Sequence, residues 1–429
     1  MRGVTPLRAI GALSLTAIAM NGMIGAGIFA LPSTVAQLIG AASPLAYIVA
    51  GGATLLIALC FAEAGSLFDA SGGPYLYVRT AFGPFAGFET GWMFVFTRVT
   101  AVAAISNTFA AYLGYFLPVS AHGAGRMLTV TALLGALAAI NCLGIKQGVW
   151  AINILTAGKL IPLMIFCFAG LFFLDARSFS FTTLPAPKSL QQACLLLFFA
   201  LGGFEVATVP SEEVIRPRRT VPLALVCGVT SVILLYLLIQ VVAMGTLPEL
   251  ARSPTPLASA AARFLGPAGA LLLTVGAMLS TTGTDSSSIL AASRMLYALG
   301  RGGQLPPRLG QLHPVYRTPV AGVLWFSGIA WALAISGTFV QLAAVSALGR
   351  LAFYAATCLA VPMLRLKMPG SSGRFKLPGG VVIPLAAAAL CIWLMIGSSL
   401  TQFLMLAAAI LAGALLYFLS RRVATSARS

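Results

Sequence analysis

The sequence predicts an all-α polytopic membrane protein with twelve transmembrane helices. Of its 429 residues, 59% are hydrophobic and only 8% are charged, whereas a soluble domain has about 25% charged residues. The mean hydropathy is +0.98, and apolar segments long enough to cross a bilayer recur along the whole chain. Together these observations indicate a chain that lies mostly within a membrane.

Twelve apolar segments reach the roughly 17–25 residues that a transmembrane helix needs. The last two are separated by almost no polar sequence and therefore predict a tight helical hairpin. The segments lie near residues 9–38, 42–65, 84–116, 127–144, 150–174, 190–211, 221–245, 267–299, 319–337, 341–366, 380–399 and 401–420.

The positive charges between these segments predict a topology. Lys and Arg accumulate in the cytoplasmic loops of membrane proteins, and most of the 26 in this chain fall in loops on the same side as the N-terminus. The opposite loops hold only Arg126, Arg177, Lys188, Arg252 and Arg263. This bias predicts a multi-pass protein of the cell (inner) membrane with both termini cytoplasmic.

Composition also argues against several classes of function. The net charge of +17 is explained by the loop bias, and no basic cluster with interleaved aromatic residues indicates nucleic-acid binding. Seven scattered cysteines without a CxxC pair, and two distant histidines, favour neither a disulfide framework nor a metal site. Neither a nucleophile–base pair nor a cofactor motif stands out, so an enzyme is not expected.

The first span contains an unusual stretch, Met23 to Pro32, which reads MIGAGIFALP. Two glycines one residue apart, followed by a proline, predict a helix that is interrupted inside the bilayer. Broken backbone at that depth leaves polar groups unpaired unless it is buried in protein or lines a cavity, and transporter binding sites are built in this way. Close packing of helices through small residues is the alternative interpretation.

The sixth span repeats the same design and favours the first interpretation. Gly202 and Gly203 interrupt an apolar run that ends at Pro210. Five spans separate the two copies, an odd number, so the copies enter the membrane from opposite sides. Broken helices at corresponding positions of two inverted halves indicate a binding site where the breaks meet.

Four strings of residues are similar to motifs of the amino acid–polyamine–organocation (APC) superfamily. They are IGAGIF at 24–29, the segment FAEAG to AFGP at 61–84, EEVIRPRRTVP at 212–222, and the segment from ASR at 292–294 to TP at 318–319. The resemblance implies a LeuT-like fold of two inverted five-helix repeats, residues 1–175 and 176–370. Two additional helices and a cytoplasmic tail, residues 371–429, would follow.

This resemblance also implies a function. The family pattern implies a secondary active transporter that takes up neutral amino acids with protons, by alternating access within the lipid bilayer. The alternatives are an exchanger of amino acids, or of an amino acid against its amine, and a polyamine transporter. No feature of the sequence indicates the oligomeric state.

The helix breaks suit a zwitterionic substrate. A half-helix that begins near Ile28 offers free N–H groups to a carboxylate, and half-helices that end near Met23 and Leu201 offer carbonyl groups to an ammonium. By the family pattern, the carboxylate would be held by Gly25, Ala26 and Gly27. The family pattern implies ammonium acceptors on Met23, Phe199 and Gly202, with Ile24 and Gly203 as flanking residues of the site.

The side-chain pocket is implied by comparison with an arginine–agmatine antiporter of the superfamily. Ile105, Phe199 and Phe204 would line it, with Phe199 as an aromatic gate. Ser288 stands where that relative has a large aromatic residue, which argues against a dedicated arginine site. Ordinary core packing is the alternative for Ile105 and Ser288.

Ionisable residues within spans are functional candidates by default. The resemblance implies that Lys159 either couples protonation to the broken first helix or fixes it as a permanent ammonium. Glu205 is interpreted either as a proton sensor or as a carboxylate that satisfies free N–H groups at the second break. A Lys159–Asp285 pair is a further hypothesis, which would make Asp285 part of proton coupling, whereas Arg98 and Arg350 are interpreted as structural.

Charges in the cytoplasmic loops predict pairs that latch an inward gate. The group comprises Glu63, Asp69, Arg79, Glu212, Glu213, Arg216, Arg218 and Arg219.

Overall fold

A computed structural model describes residues 8–70, 72–144, 149–180, 184–369 and 375–426. Ser71 of the second motif and the last residues at both chain termini lie outside these ranges. Within them the chain forms α-helices and short 3₁₀ helices, and its β-pairing is one isolated bridge between Ile10 and Val214.

Fourteen α-helices are present in the described ranges. They are α1 (Ala12–Met23), α2 (Gly27–Ile39), α3 (Ser43–Ser66), α4 (Gly73–Phe82), α5 (Pro84–Leu113), α6 (Gly123–Leu143), α7 (Val149–Gly170), α8 (Pro187–Leu201), α9 (Pro217–Thr246), α10 (Pro256–Arg301), α11 (Val320–Ser336), α12 (Phe339–Lys367), α13 (Val382–Ile396) and α14 (Leu400–Ser426). The 3₁₀ helices are Gly40–Ala42, Pro118–Ala121, Leu171–Phe173, Ala176–Phe179, Phe204–Thr208, Ser211–Glu213, Leu250–Arg252 and Pro307–Gly310.

Each predicted span overlaps at least one of these helices. Seven helical segments of the described chain are long and apolar enough to cross a membrane, with Gly27–Ser66 counted as one, and four shorter apolar helices accompany them. The polytopic helical class is therefore present, whereas the number twelve and the inverted-repeat topology stay predictions.

Two helical segments fall where the sequence analysis placed loops. Residues 73–82 form α4, which begins at Gly73 (φ 52°) directly after Gly72 (φ 143°) and has Pro74 in its first turn. Proline suits the first turn because it has no N–H to leave unpaired. Helix α10 begins at Pro256, upstream of the predicted span, and changes direction at Gly266, where φ is 65°.

The interior is organised around α5, which packs against α10, α11 and α12, while α1 and α3 pack against α9 and α2 packs against α8. Along α5 most side chains are buried, whereas α14 exposes large apolar side chains such as Leu404, Leu411 and Leu415. A helix that is apolar on all sides is typical of a membrane span. The central position of α5 brings its polar residues into contact with α10, α12 and the 3₁₀ helix Phe204–Thr208.

Candidate functional site

The first span is interrupted between α1 and α2. Helix α1 ends at Met23, Ile24 is extended with φ −76° and ψ 91°, and α2 begins at Gly27. Among the described residues, the backbone N–H groups of Gly25 and Ala26 donate to no backbone carbonyl, and the Gly25 N–H faces the Tyr236 hydroxyl oxygen. They lie at the positive end of the α2 dipole, an arrangement that binds anions.

The sixth span is interrupted at the predicted glycines. Helix α8 ends at Leu201, Gly202 is extended, and Gly203 has a φ of 114°. The segment beyond the break is the 3₁₀ helix Phe204–Thr208 rather than an α-helix. The carbonyl groups at the C-terminal end of α8 are thereby left without the next helical turn.

The two breaks lie directly against each other. A Cβ atom added to Gly22 would lie 2.6 Å from the Gly203 carbonyl oxygen, and a Cβ atom on Gly203 would overlap the carbonyl of Gly22. A Cβ atom on Gly27 would lie 2.5 Å from the Cβ atom of Ala200. The structure thus brings the N–H groups of the first break next to the carbonyl groups at the C-terminal end of α8.

Lys159 of α7 reaches the end of α1. Its Nζ atom donates hydrogen bonds to the carbonyl oxygens of Asn21 (3.0 Å) and Ile24 (2.8 Å), and the residue is 5% exposed. The ammonium therefore sits at the negative end of the α1 dipole, where a positive charge is stabilised.

Glu205 is fully engaged at the second break. Its Oε1 atom pairs with Nη2 of Arg98 at 3.2 Å, and its Oε2 atom accepts hydrogen bonds from the Gly203 N–H (2.8 Å) and the Tyr354 hydroxyl (2.7 Å). This geometry matches the interpretation of Glu205 as a carboxylate that satisfies a free N–H group. Arg98 and Tyr354, on α5 and α12, fix the position of that carboxylate.

Arg350 of α12 lies at the C-terminal end of α8. Its Nη1 atom donates to the carbonyl oxygens of Phe198 (3.4 Å) and Phe199 (3.2 Å), and a Cβ atom on Gly202 would overlap its guanidinium. The Phe199 carbonyl, predicted to accept the substrate ammonium, is therefore already bonded to a protein cation. The Met23 carbonyl likewise accepts a hydrogen bond from the Tyr236 hydroxyl, at 2.9 Å.

The hypothesis of a Lys159–Asp285 pair is wrong for this structure. Asp285 instead accepts a hydrogen bond from the Ser106 hydroxyl at 3.0 Å, and its Oδ1 atom has no partner. The reason is geometric: Asp285 lies on the face of α10 that meets α5, whereas the Lys159 ammonium is held by the carbonyl groups of the first break.

Most of the predicted substrate residues surround one small cavity between the two breaks. Its volume is about 30 Å³, which is room for a water molecule or two and not for an amino acid. The predicted residues that line it are Met23, Gly25, Ala26, Gly27, Ile105, Phe199, Gly202 and Ser288.

Three predicted residues do not line this cavity. Ile24 lies behind it with its carbonyl on Lys159, and Gly203 is buried against Gly22. The prediction that Phe204 lines the pocket is wrong. Its ring packs edge-on against Phe61, at 5.3 Å between ring centroids, and is also in contact with Tyr354, at 5.1 Å. These contacts hold the Phe204 ring against α3 and α12 and not at the cavity.

Sequence reasoning missed the charge of the cavity. Arg98 and Arg350, which were interpreted as structural, both line it, together with Thr284 and Ala200. The available signal was their position within apolar spans, because a buried arginine in a membrane is a functional candidate in its own right.

The described residues offer no metal site, and a second cavity is poorly suited to a polar substrate. No group of three or more potential metal ligands occurs among the described residues. A larger cavity of about 840 Å³ lies between α5, α11, α12 and α14, where it is lined mainly by apolar side chains such as Trp92 and Trp325. It has few groups that could bind a charged ligand.

This chain is similar to known transport proteins along nearly its whole length. A sequence profile of the family described as amino acid permease matches residues 10–418. A methylthioribose transporter of Bacillus subtilis (strain 168) is 28% identical over 97% of this chain and 94% of the relative. A branched-chain amino acid permease of the same strain is 27% identical over 97% and 93%, and the b(0,+)-type amino acid transporter 1 of Homo sapiens is 27% identical over 96% and 87%.

Proposed function

We propose that this chain, which belongs to the amino acid permease family of the APC superfamily, is a secondary active transporter that takes up amino acids together with protons. The family and the relatives are permeases and transporters, so the chain is a membrane transporter and not an enzyme. Amino acid transport is the activity that most of these names share, and the geometry of the breaks supports it.

The breaks supply complementary ends for an amino acid backbone. The N–H groups of Gly25 and Ala26 would bind the α-carboxylate at the N-terminus of α2. The carbonyl of Gly202 and the second lone pairs of the Met23 and Phe199 carbonyls remain for the ammonium, since each carbonyl oxygen has two lone pairs. A backbone of this kind binds α-amino acids regardless of their side chain.

Alternating access is supported by the size of the cavity. About 30 Å³ does not admit an amino acid, so α1, α2 or α8 would have to move to open the site. The glycine contacts between the breaks are the point about which such a movement would occur. The two predicted inverted repeats, residues 1–175 and 176–370, would provide its two alternating directions.

The pair of hydrogen bonds from Lys159 to the first break is the observation that supports proton coupling. A charged ammonium holds the end of α1 through the Asn21 and Ile24 carbonyls. Loss of its proton would remove the charge and weaken both bonds. Protonation of Lys159 would thus favour one position of the broken helix, and release of the proton another.

Asp285 is a second group that could carry a proton. It is fully buried on the helix that supplies Thr284 and Ser288 to the cavity, and its Oδ1 atom has no partner. Glu205 is a weaker candidate because both of its oxygens are engaged.

The alternative is an amino acid exchanger, in which Lys159 stays charged as a fixed tether of α1. The hydrogen bonds from Lys159 to the Asn21 and Ile24 carbonyls support this interpretation as well. A polyamine transporter is disfavoured, because Arg98 and Arg350 line the cavity and would repel a polycation.

Transport into liposomes with an empty lumen tests this proposal. We expect an acidic exterior to accelerate uptake of a radiolabelled amino acid, and Lys159→Met to lose most of that acceleration, by about tenfold or more. Lys188→Met, which removes an exposed lysine at the start of α8, is the matched control and should behave as wild type.

Three outcomes separate the possibilities. A strict requirement for amino acid inside the liposome would support the exchanger. Full acceleration by acid in Lys159→Met would contradict coupling through Lys159. Transport of no amino acid under either condition would contradict the proposed function itself.

A further inference from the structure

We infer that the cavity selects an amino acid with an acidic side chain, and that Arg350 binds the side-chain carboxylate. The inference rests on the proposed function and narrows its substrate class. It replaces the neutral amino acids that the sequence resemblance implies, because the charge of the cavity comes from residues that the resemblance does not include.

The first step is the charge balance around the breaks. Arg98 and Arg350 line the cavity, and Glu205 is the acid that faces them. Glu205 uses Oε1 for Arg98 and Oε2 for the Gly203 N–H and the Tyr354 hydroxyl. One carboxylate thus faces two guanidinium groups, which leaves one positive charge in excess. The Lys159 ammonium at the first break and Asp285 on α10 do not remove this excess, since an ionised Asp285 only balances Lys159 and a neutral Asp285 raises the excess to two.

The second step is the state of Arg350 itself. Among the described residues, no carboxylate oxygen lies within 4.0 Å of its guanidinium, although the residue is only 3% exposed. Its bonds to the Phe198 and Phe199 carbonyls supply partial charges, and its Nε atom has no acceptor. Arg350 shares the nearby Glu205 carboxylate with Arg98, which holds the direct ion pair. A buried charge that is only partly matched is costly, so an anionic ligand beside Arg350 would be stabilised more than a neutral one.

The third step is the hydrogen-bonding capacity that remains. The Nε atom of Arg98 and the hydroxyl of Ser288 also lack partners, and both residues line the same cavity. A second carboxylate could accept bonds from these donors, since it offers about four lone-pair sites. Arginine is well suited to this role because its planar fork matches a carboxylate.

The fourth step is the comparison between substrate classes. A neutral amino acid would fill the backbone positions and leave the excess charge unmatched. A cationic amino acid would add repulsion to it. An acidic amino acid has a net charge of −1 and places one carboxylate at the α2 N-terminus and the other beside Arg350.

Competition in liposomes tests the inference without any variant. Uptake of radiolabelled glutamate should be suppressed by unlabelled glutamate and aspartate, and only weakly by glutamine, which has nearly the same shape without the charge. The 2-oxo acid of valine, which has one carboxylate and no ammonium, should also compete weakly.

Substitution of Arg350 gives the second measurement. In Arg350→Gln, the ratio of glutamate to glutamine uptake should fall by about tenfold or more, because a charge-assisted hydrogen bond is lost, whereas Arg350→Lys should keep the preference. The matched control is Arg126→Gln: Arg126 also donates to carbonyls at the end of a helix, those of Ala334 and Ile335, away from the cavity. It should leave the ratio unchanged.

The outcomes are distinguishable. Preferred uptake of glutamine or leucine by the wild type, or a ratio unaffected by Arg350→Gln, would overturn the inference and leave amino acid transport intact. Strong competition by the 2-oxo acid would overturn the side-chain assignment. It would mean that the site needs neither an ammonium nor a second carboxylate on the ligand, and that the Arg350 guanidinium occupies the place assigned to the substrate ammonium. Uptake of no amino acid would overturn the inference together with the proposed function.

Discussion

At the scale of residues, Gly203 combines a positive φ with a close approach to the backbone of the other break. Its φ of 114° is a conformation that residues with a Cβ atom rarely adopt, and its α-carbon lies against the Gly22 carbonyl. No side chain fits there without separating the two breaks. The close approach that assembles the site therefore depends on this residue.

We expect Gly203→Ala to abolish uptake and to lower the free energy of unfolding by about 3 kcal/mol or more, since strain and overlap add. Uptake in liposomes and thermal unfolding in detergent measure the two effects. Gly303→Ala is the control, because Gly303 has a φ of 69° with no atom within 4 Å of the added Cβ. It should cost about 1 kcal/mol and leave uptake intact, and an equal effect of both variants would contradict the role of the close contact.

At the scale of elements, Glu63 ties α3 to α12 and to the chain beyond α12. The carboxylate is fully buried and accepts hydrogen bonds from Nε (2.6 Å) and Nη2 (2.7 Å) of Arg365 and from the Leu377 N–H (2.8 Å). The sequence analysis expected partners among the nearby loop charges, of which Arg218 and Asp69 do pair, at 3.8 Å. The ion-pair partner of Glu63 is therefore Arg365 of α12 and not one of the nearby loop charges.

We expect Glu63→Gln to lower the free energy of unfolding by about 3 kcal/mol, because one charge of a bidentate, largely buried pair is removed. The matched control is Asp69→Asn, since the side chains of Arg218 and Asp69 are 45% and 50% exposed. That variant should cost less than about 1 kcal/mol. Thermal unfolding in detergent measures both, and equal losses would show that the Glu63 pair contributes no more than a surface pair.

At the scale of the whole molecule, charge outside the spans predicts how the protein lies in the bilayer. The loop that contains Arg252 is predicted to face outward, and the loop that contains Arg308 is predicted to face the cytoplasm. Alkaline phosphatase fused within the first loop should be active, because it requires the oxidising exterior. The same enzyme fused within the second should be inactive, and the reverse pattern would contradict the predicted orientation.

The helix breaks show what local signals can predict. Gly25 and Gly202 interrupt their helices at the predicted places, because glycine weakens a helix wherever the chain is placed. Pro32, which the sequence pattern also suggested as a breaker, lies inside α2. Helix α4 was missed for the same kind of reason. Its glycine- and proline-rich start suggests a loop locally, whereas packing against α5 and α12 gives the ten residues a helical environment.

The sequence by itself determined the helical membrane class, the two breaks and the family, because composition, hydropathy and motifs are properties of continuous segments. Only the tertiary structure decided the partners of the buried charges. It placed Arg350 on the carbonyl of Phe199 and Glu205 on Arg98, and it left Asp285 apart from Lys159. These contacts join residues more than 100 positions apart, and the distance and direction between two buried side chains depend on how whole helices pack.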